Sequence, residues 1–128
     1  MAKITLQPAS MGVPAAPYAP GTKRGSMVFT AGQVPFDRDG KIIGKDDVKA
    51  QTRQTLLNLK AVLDEGGATL ADVMKTTVYL ADIAHFADMN KVYGEFFGDQ
   101  KPARTTVEAR LARAELLVEI EAIAVIAD

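Results

Sequence analysis

Residues 118 to 126 read VEIEAIAVI, and their hydrophobic positions recur with a period of two. Val118, Ile120, Ala122, Ala124 and Ile126 make one wholly apolar face, while Glu119, Glu121, Ile123 and Val125 make the other. The pattern predicts a strand whose apolar face meets helices. Residues 103 to 111, ARTTVEARL, also alternate: Arg104, Thr106, Glu108 and Arg110 point one way, and Thr105, Val107, Ala109 and Leu111 the other. VMKTTVYLA at 73 to 81 sets Met74, Thr76, Val78 and Leu80 against Lys75, Thr77 and Tyr79, a third strand. MVFTAGQV at 27 to 34 is β-branched and aromatic around a glycine, which suits a strand with a close backbone approach or a bulge near Gly32. FDRDGK supplies a turn after it.

Between these strands the period changes. From Asp46 onward Val48, Thr52, Leu56, Leu59 and Leu63 share one helical face, with Lys49, Arg53, Lys60 and Asp64 on another. Asp46 reads as the N-cap and Gly66-Gly67 as the stop. Asp82 reads as the cap of a second helix with the face Phe86, Met89, Tyr93, Phe96 and Phe97, ending at Gly98. Residues 8 to 25, rich in Pro, Gly and Ala, read as a connecting stretch. The predicted fold is α+β: a single mixed β-sheet with two helices packed on one face, residues 1 to 128 forming one domain.

Helices on one side leave the other side of the sheet with Val125, Ile123 and Tyr79 between its charges. That face is too apolar to stay wet and too charged to be a plain core, so self-association into a closed homo-oligomer is expected. If the last two strands form a simple hairpin across residues 112 to 116, Arg110 lies near Glu119 and Arg104 sits about 20 Å away. Arg104 and Glu119 then share a site only across two chains, or under a different strand order.

Composition narrows the chemistry. The chain has 128 residues, 48% of them hydrophobic, enough for a real core. Its formal charge is −1, with both signs interleaved, so no phosphate-neutralising surface is suggested and nucleic acid is not expected as a partner. No apolar stretch approaches the roughly 20 residues that span a bilayer, and the N-terminus does not read as a signal peptide, so a cytoplasmic location is expected. The absence of cysteine removes disulfides, thiolate nucleophiles and sulfur-ligated metals.

Few residues then carry chemical promise. A guanidinium at Arg104 can bind a carboxylate bidentately; the alternative is an ion pair with one of the glutamates. Glu119 can position or deprotonate water as a general base, or serve as an interface salt bridge. Glu121 and Glu108 read as structural, with Arg110 as partner. His85, the one histidine, makes no metal site by itself and reads as an exposed helical residue. Ser10 and Ser26 lack a nucleophile motif, and the glycine-rich stretches match neither a phosphate loop nor a dinucleotide fingerprint. Tyr18 either packs its loop or closes a pocket.

PYAPG (17 to 21), MVFTAGQVP (27 to 35), VMKTTVYLAD (73 to 82), KPARTTVEARL (101 to 111) and VEIEAIAV (118 to 125) together resemble the signature blocks of the RidA (YjgF) family, in the same order and over nearly the whole chain. The resemblance implies a chorismate-mutase-like homotrimer with pockets between subunits. It also implies cofactor-independent hydrolysis of reactive enamines and imines, such as 2-aminoacrylate and 2-iminopropanoate, to 2-keto acids and ammonia. By the same resemblance Arg104 matches the carboxylate-binding arginine, Glu119 the glutamate linked to the attacking water, Tyr18 the pocket tyrosine and Gly32 the glycine whose backbone meets the ligand. Three positions depart from the pattern. Ala31 stands where serine is common, Thr106 where cysteine is common, and Leu111-Ala112 where Leu-Pro is usual. Ala31 and Thr106 bear on which substrate the pocket takes. Two other readings stay open: a binding protein for keto acids or other small carboxylates, and the ribonuclease activity attached to some relatives.

Overall fold

The computed structural model describes residues 1–128. Helix α1, Val48–Glu65, is opened by Asp47, whose carboxylate accepts the Ala50 N–H at 3.1 Å. Capping therefore falls one residue later than the sequence pattern suggests. Asp46 takes a φ of 60°, a left-handed turn residue that swings the chain into the helix. The predicted face is buried as expected: Val48, Thr52, Leu56, Leu59 and Leu63, joined by Gln51, Thr55 and Val62. Each fully buried Leu or Val contributes about 1.5–3 kcal/mol. The helix stops at Gly66, whose N–H reaches the carbonyls of Val62 and Leu63, while Lys23 Nζ donates to the Gly66 carbonyl at 2.7 Å.

The sheet contains β1 (Ile4–Leu6), β2 (Gly21–Arg24), β3 (Met27–Thr30), β4 (Val73–Leu80), β5 (Ala103–Glu108) and β6 (Val118–Val125). Their spatial order is β1-β2-β3-β6-β4-β5. Only β4 and β5 run parallel; the other neighbours are antiparallel, so the sheet is mixed. β6 takes a central place because its Val118, Ile120, Ala122 and Ala124 face is fully apolar, and all four are buried beneath the helices.

Helix α2, Phe86–Phe97, follows a 3-10 turn at Ile83–His85 that Asp82 caps by accepting the Ala84 N–H. It ends at Gly98, whose φ of 55° reverses the chain. Met89, Val92, Tyr93 and Phe97 are buried, and a 2.6 Å hydrogen bond joins the Tyr93 and Thr76 hydroxyls across to β4. Lys49 with Asp88 and Arg53 with Glu95 tie the two helices together on the outside. Both helices therefore lie on one face. No helix is long and apolar enough to cross a membrane.

Three further expectations need correction, and the strand order decides between the two arrangements left open for the last two strands. The last two strands do not form a hairpin: β4 lies between them, and β5 reaches it by the parallel crossover through α2. Met74 is 61% exposed because the register slips between Val73 and Lys75, a bulge that turns it off the core face. Strand β3 stops at Thr30, and pairing resumes only as an isolated bridge between Gln33 and Ile120. Residues 21–24, read as connecting chain, form β2.

The face away from the helices is uncovered within the chain. Met27, Phe29, Val107 and Val125 there remain 37% to 42% exposed.

Candidate functional site

Gly32 sits in the break between β3 and the Gln33–Ile120 bridge, on the side where Glu119 projects. A Cβ at Gly32 would overlap the Glu119 carboxylate, so only glycine leaves that side chain its place. The neighbouring backbone is fixed from both sides: Ala31 donates its N–H to the Pro20 carbonyl at 2.8 Å, and Gln33 exchanges two backbone hydrogen bonds with Ile120. These ties bring the PYAPG loop, with Tyr18 58% exposed, against the same segment.

Tyr18 and Gly32 line one cleft of about 760 Å³ between residues 10–20 and 32–40. Its walls include Met11, Val13, Phe36 and Arg38. Asn58 of α1 holds one wall by donating to the Val34 and Phe36 carbonyls, both at 2.9 Å. The Asp37–Lys41 turn predicted there closes with an Asp37 N–H to Lys41 carbonyl bond of 2.8 Å.

Glu119 is half-buried, and its carboxyl is pushed up from the ordinary value of 4.5, first by burial and then by the charge of Glu121. Glu121 is engaged differently. Tyr79, opposite Glu119 in the register, reaches diagonally to donate its hydroxyl to Glu121 Oε1 at 2.7 Å. That hydrogen bond, then burial, then the two glutamate charges push the Tyr79 phenol up. Arg110 is not the partner of either expected glutamate, because β5 has ended before it; Glu108 instead accepts the Ile83 N–H at 2.9 Å.

Arg104 lies on the other face. Its Cα partner on β4 is Thr76, and its guanidinium stands 4.7 Å from the Tyr93 ring centroid and 5.6 Å from that of Phe86. None of the ion pairs in the chain involves it, so the guanidinium's hydrogen-bonding edge is free. Thr106, two residues on and on the same face, has a buried Oγ1 without a hydrogen-bond partner. So does Asn90 Oδ1, on the α2 face between Phe86 and Tyr93. Asn90 was not singled out from the sequence, although a lone amide inside the apolar stripe Phe86, Met89, Tyr93 was a readable signal.

The six site residues thus separate into two groups. Tyr18, Ala31, Gly32 and Glu119 assemble around the end of β3. Arg104 and Thr106 stand with Asn90 at the edge strand, under α2. Three residues along and two strands across separate the Cα atoms of Arg104 and Glu119 by about 14 Å, on opposite faces of the sheet. No cluster of His, Asp or Glu could hold a metal ion, and His85 is half-exposed at the start of α2.

A mixed sheet under two helices, with a free arginine on one face and a glutamate of raised proton affinity on the other, defines a small α+β protein. The chain belongs to the family described as Endoribonuclease L-PSP, whose model matches residues 9–126, in agreement with the RidA (YjgF) resemblance. A RutC family protein of Pyrococcus abyssi is 46% identical over 124 residues, covering 97% of this chain and 98% of its own. Escherichia coli TdcF, solved with bound serine, superposes with a TM-score of 0.89 at 35% identity, covering 97% of this chain and 99% of that one. The Escherichia coli YjgF gene product gives 0.87 at 36%, covering 95% and 98%.

Proposed function

We propose that the protein hydrolyses reactive enamines and imines of the 2-aminoacrylate and 2-iminopropanoate type to 2-keto acids and ammonia. It does so in pockets between the subunits of a homotrimer, in the cytoplasm and without a cofactor. The observation that carries this reading is the division of the site. Arg104 has a free guanidinium on an aromatic platform, and Glu119 has a half-buried carboxyl whose proton affinity is raised, yet one chain holds them on opposite faces. A neighbouring copy that covers the apolar second face brings the two together. Bound serine in TdcF supports a ligand of amino-acid size and charge.

In this reading Arg104 holds the carboxylate of the imine tautomer, with the Thr106 hydroxyl beside it, and Tyr18 and Gly32 close the opposite wall. Water attacks the carbon of the protonated imine while the Glu119 carboxylate takes its proton, giving a neutral carbinolamine. Glu119 returns that proton to nitrogen, and as the C–N bond breaks and ammonia leaves, the hydroxyl proton passes back to Glu119 and the carbonyl forms. A carboxyl with raised proton affinity suits both halves of that exchange. Because such imines hydrolyse unaided, positioning and one proton relay suffice, each tenfold in rate needing about 1.4 kcal/mol. Ala31, which offers no hydroxyl, tunes which imine is accepted.

The test generates 2-aminoacrylate from serine with a dehydratase and follows its loss with wild type and with Glu119→Gln. Faster loss that the variant fails to reproduce is expected. No acceleration by wild type would overturn imine deamination of this substrate and leave carboxylate binding as the reading.

A further inference from the structure

Glu119 and Glu121 project from the same face of β6, two residues apart, and Tyr79 lies between them. Its Cα is opposite Glu119, while its hydroxyl ends 2.7 Å from Glu121 Oε1. The phenol ring therefore bridges the gap diagonally and prevents the Glu121 carboxylate from swinging away. We propose that Glu121, anchored by the Tyr79 hydroxyl, is a positioning residue that sets how readily Glu119 takes and returns a proton. The inference rests on the catalytic reading of Glu119 given above.

The surroundings make Glu121 the one charge placed to do this within the chain. On β4 the same face carries Tyr79, then Thr77, then Lys75, whose ammonium donates to Thr105 Oγ1 at 3.0 Å and whose Cα lies opposite Ile123, four residues beyond Glu119. On β5 it carries Ala103, Thr105 and Val107, and Val107 stands level with Glu119 across β4. On β3 it carries Phe29 and Met27, the next segment brings Ala31 and Gly32, and the loop tied to that segment brings Tyr18, none of them a carboxylate or a cation. Arg104 points into the opposite face. A negative charge one repeat away, in a half-buried setting, disfavours ionisation of Glu119 and moves its proton exchange toward neutral conditions, where a relay is most effective. Burial acts in the same sense and is the larger cause, so Glu121 adjusts an affinity that burial has already raised.

Tyr79 has a defined part. Without its hydroxyl the Glu121 side chain can turn toward solvent, and its influence on Glu119 falls. In the assembled pocket Arg104 of a neighbouring copy acts on Glu119 in all variants alike, so comparison between variants isolates Glu121.

The experiment is a carboxyl-carbon NMR titration of Glu119 in the intact assembly, for wild type, Glu121→Gln, Tyr79→Phe and the double variant. The pH profile of kcat is measured beside it. Glu121→Gln keeps an acceptor for Tyr79, so the local packing is retained. Its Glu119 midpoint should move to lower pH, with the acid limb of the rate profile moving the same way. Tyr79→Phe should shift both in that direction by less, and the double variant no further than Glu121→Gln alone. A Glu119 midpoint that stays in place or rises in Glu121→Gln overturns the proposal. The titration needs no turnover, so an inactive wild type would count against imine deamination while the midpoint shift still decides the role of Glu121.

Discussion

Arg104 and Glu119 point away from each other through one β-sheet: Arg104 lies under α2 against Tyr93 and Phe86, and Glu119 emerges on the uncovered side beside Gly32. The cause is register. Arg104 is level with Thr76 and Glu119 with Tyr79, positions of opposite parity on β4. No rotamer change brings the two side chains together within a chain. Any site that uses both is formed between copies, and the exposed Met27, Phe29, Val107 and Val125 give those copies a reason to associate.

Two inactive variants should therefore restore each other. Arg104→Ala lacks one half-site and Glu119→Gln the other, so assemblies of either alone should be inactive. In the proposed trimer every mixed assembly formed by co-expression has one interface of its three, about a third, that joins an intact Arg104 to an intact Glu119. Activity near that fraction of wild type is expected from doubly tagged, co-purified material. Absence of recovery in verified mixed assemblies would show that Arg104 and Glu119 do not cooperate across subunits.

Gly32→Ala should damage the site more than the fold. The added Cβ meets the Glu119 carboxylate and forces that side chain aside. A displacement on the order of 1 Å at a catalytic group costs about 100-fold in rate. Imine turnover should fall by about that factor while urea unfolding shows a far smaller loss. Full turnover in Gly32→Ala would mean that the Glu119 position seen here is not the working one.

Local pattern carried much of the fold in advance. The buried face of α1, the Tyr93 and Phe97 stripe of α2 and the alternation of β6 each follow from spacing in a short window, and the structure realises all three. The partnership of β5 with β4 was not legible. A parallel pair closes through a crossover, and nothing in ARTTVEARL distinguishes β4 from β6 as its neighbour. The Met74 bulge was hidden for a related reason, since it adds a residue without breaking the sequence alternation. At the site, Gly32 and Glu119 were placed by motif; their contact needed the break after Thr30. The role of Tyr79 depends on a diagonal contact that only the strand register determines.

Tyr93→Phe should separate stability from the aromatic platform. The hydroxyl lost is one partner of the 2.6 Å bond to Thr76, which is buried, so the Thr76 hydroxyl is left unpaired. That costs about 1–3 kcal/mol. The ring that supports Arg104 is retained, so kcat should stay within a few-fold of wild type. Denaturant unfolding alongside steady-state kinetics checks both, and a large kcat loss with unchanged stability would assign the hydroxyl to the site.

The adjacent aspartates at the start of α1 differ in what they do. Asp47→Ala removes the acceptor of the Ala50 N–H and should cost about 1 kcal/mol. Asp46→Gly relieves a φ of 60° while freeing the unfolded chain, and the two effects nearly cancel, leaving a change under about 0.5 kcal/mol. Urea midpoints of the two variants distinguish them. A larger loss at position 46 would return the cap to Asp46.

Glu119 should also leave a signature in the pH dependence of stability. Its carboxyl in the folded chain titrates above the ordinary 4.5, so the folded state holds that proton more tightly than the unfolded state does. Below pH 4.5 both states are protonated and the preference is fully present. As pH rises from there through the folded value, the unfolded state ionises first and stability declines, levelling off once Glu119 is ionised in both. Glu119→Gln cannot ionise, so its stability should match wild type at low pH and exceed it increasingly across that window, then keep a constant margin. Urea unfolding at fixed protein concentration across pH 4 to about 8 measures the difference, and pH-independent parity of the two proteins would mean that the Glu119 carboxyl is not held against ionisation.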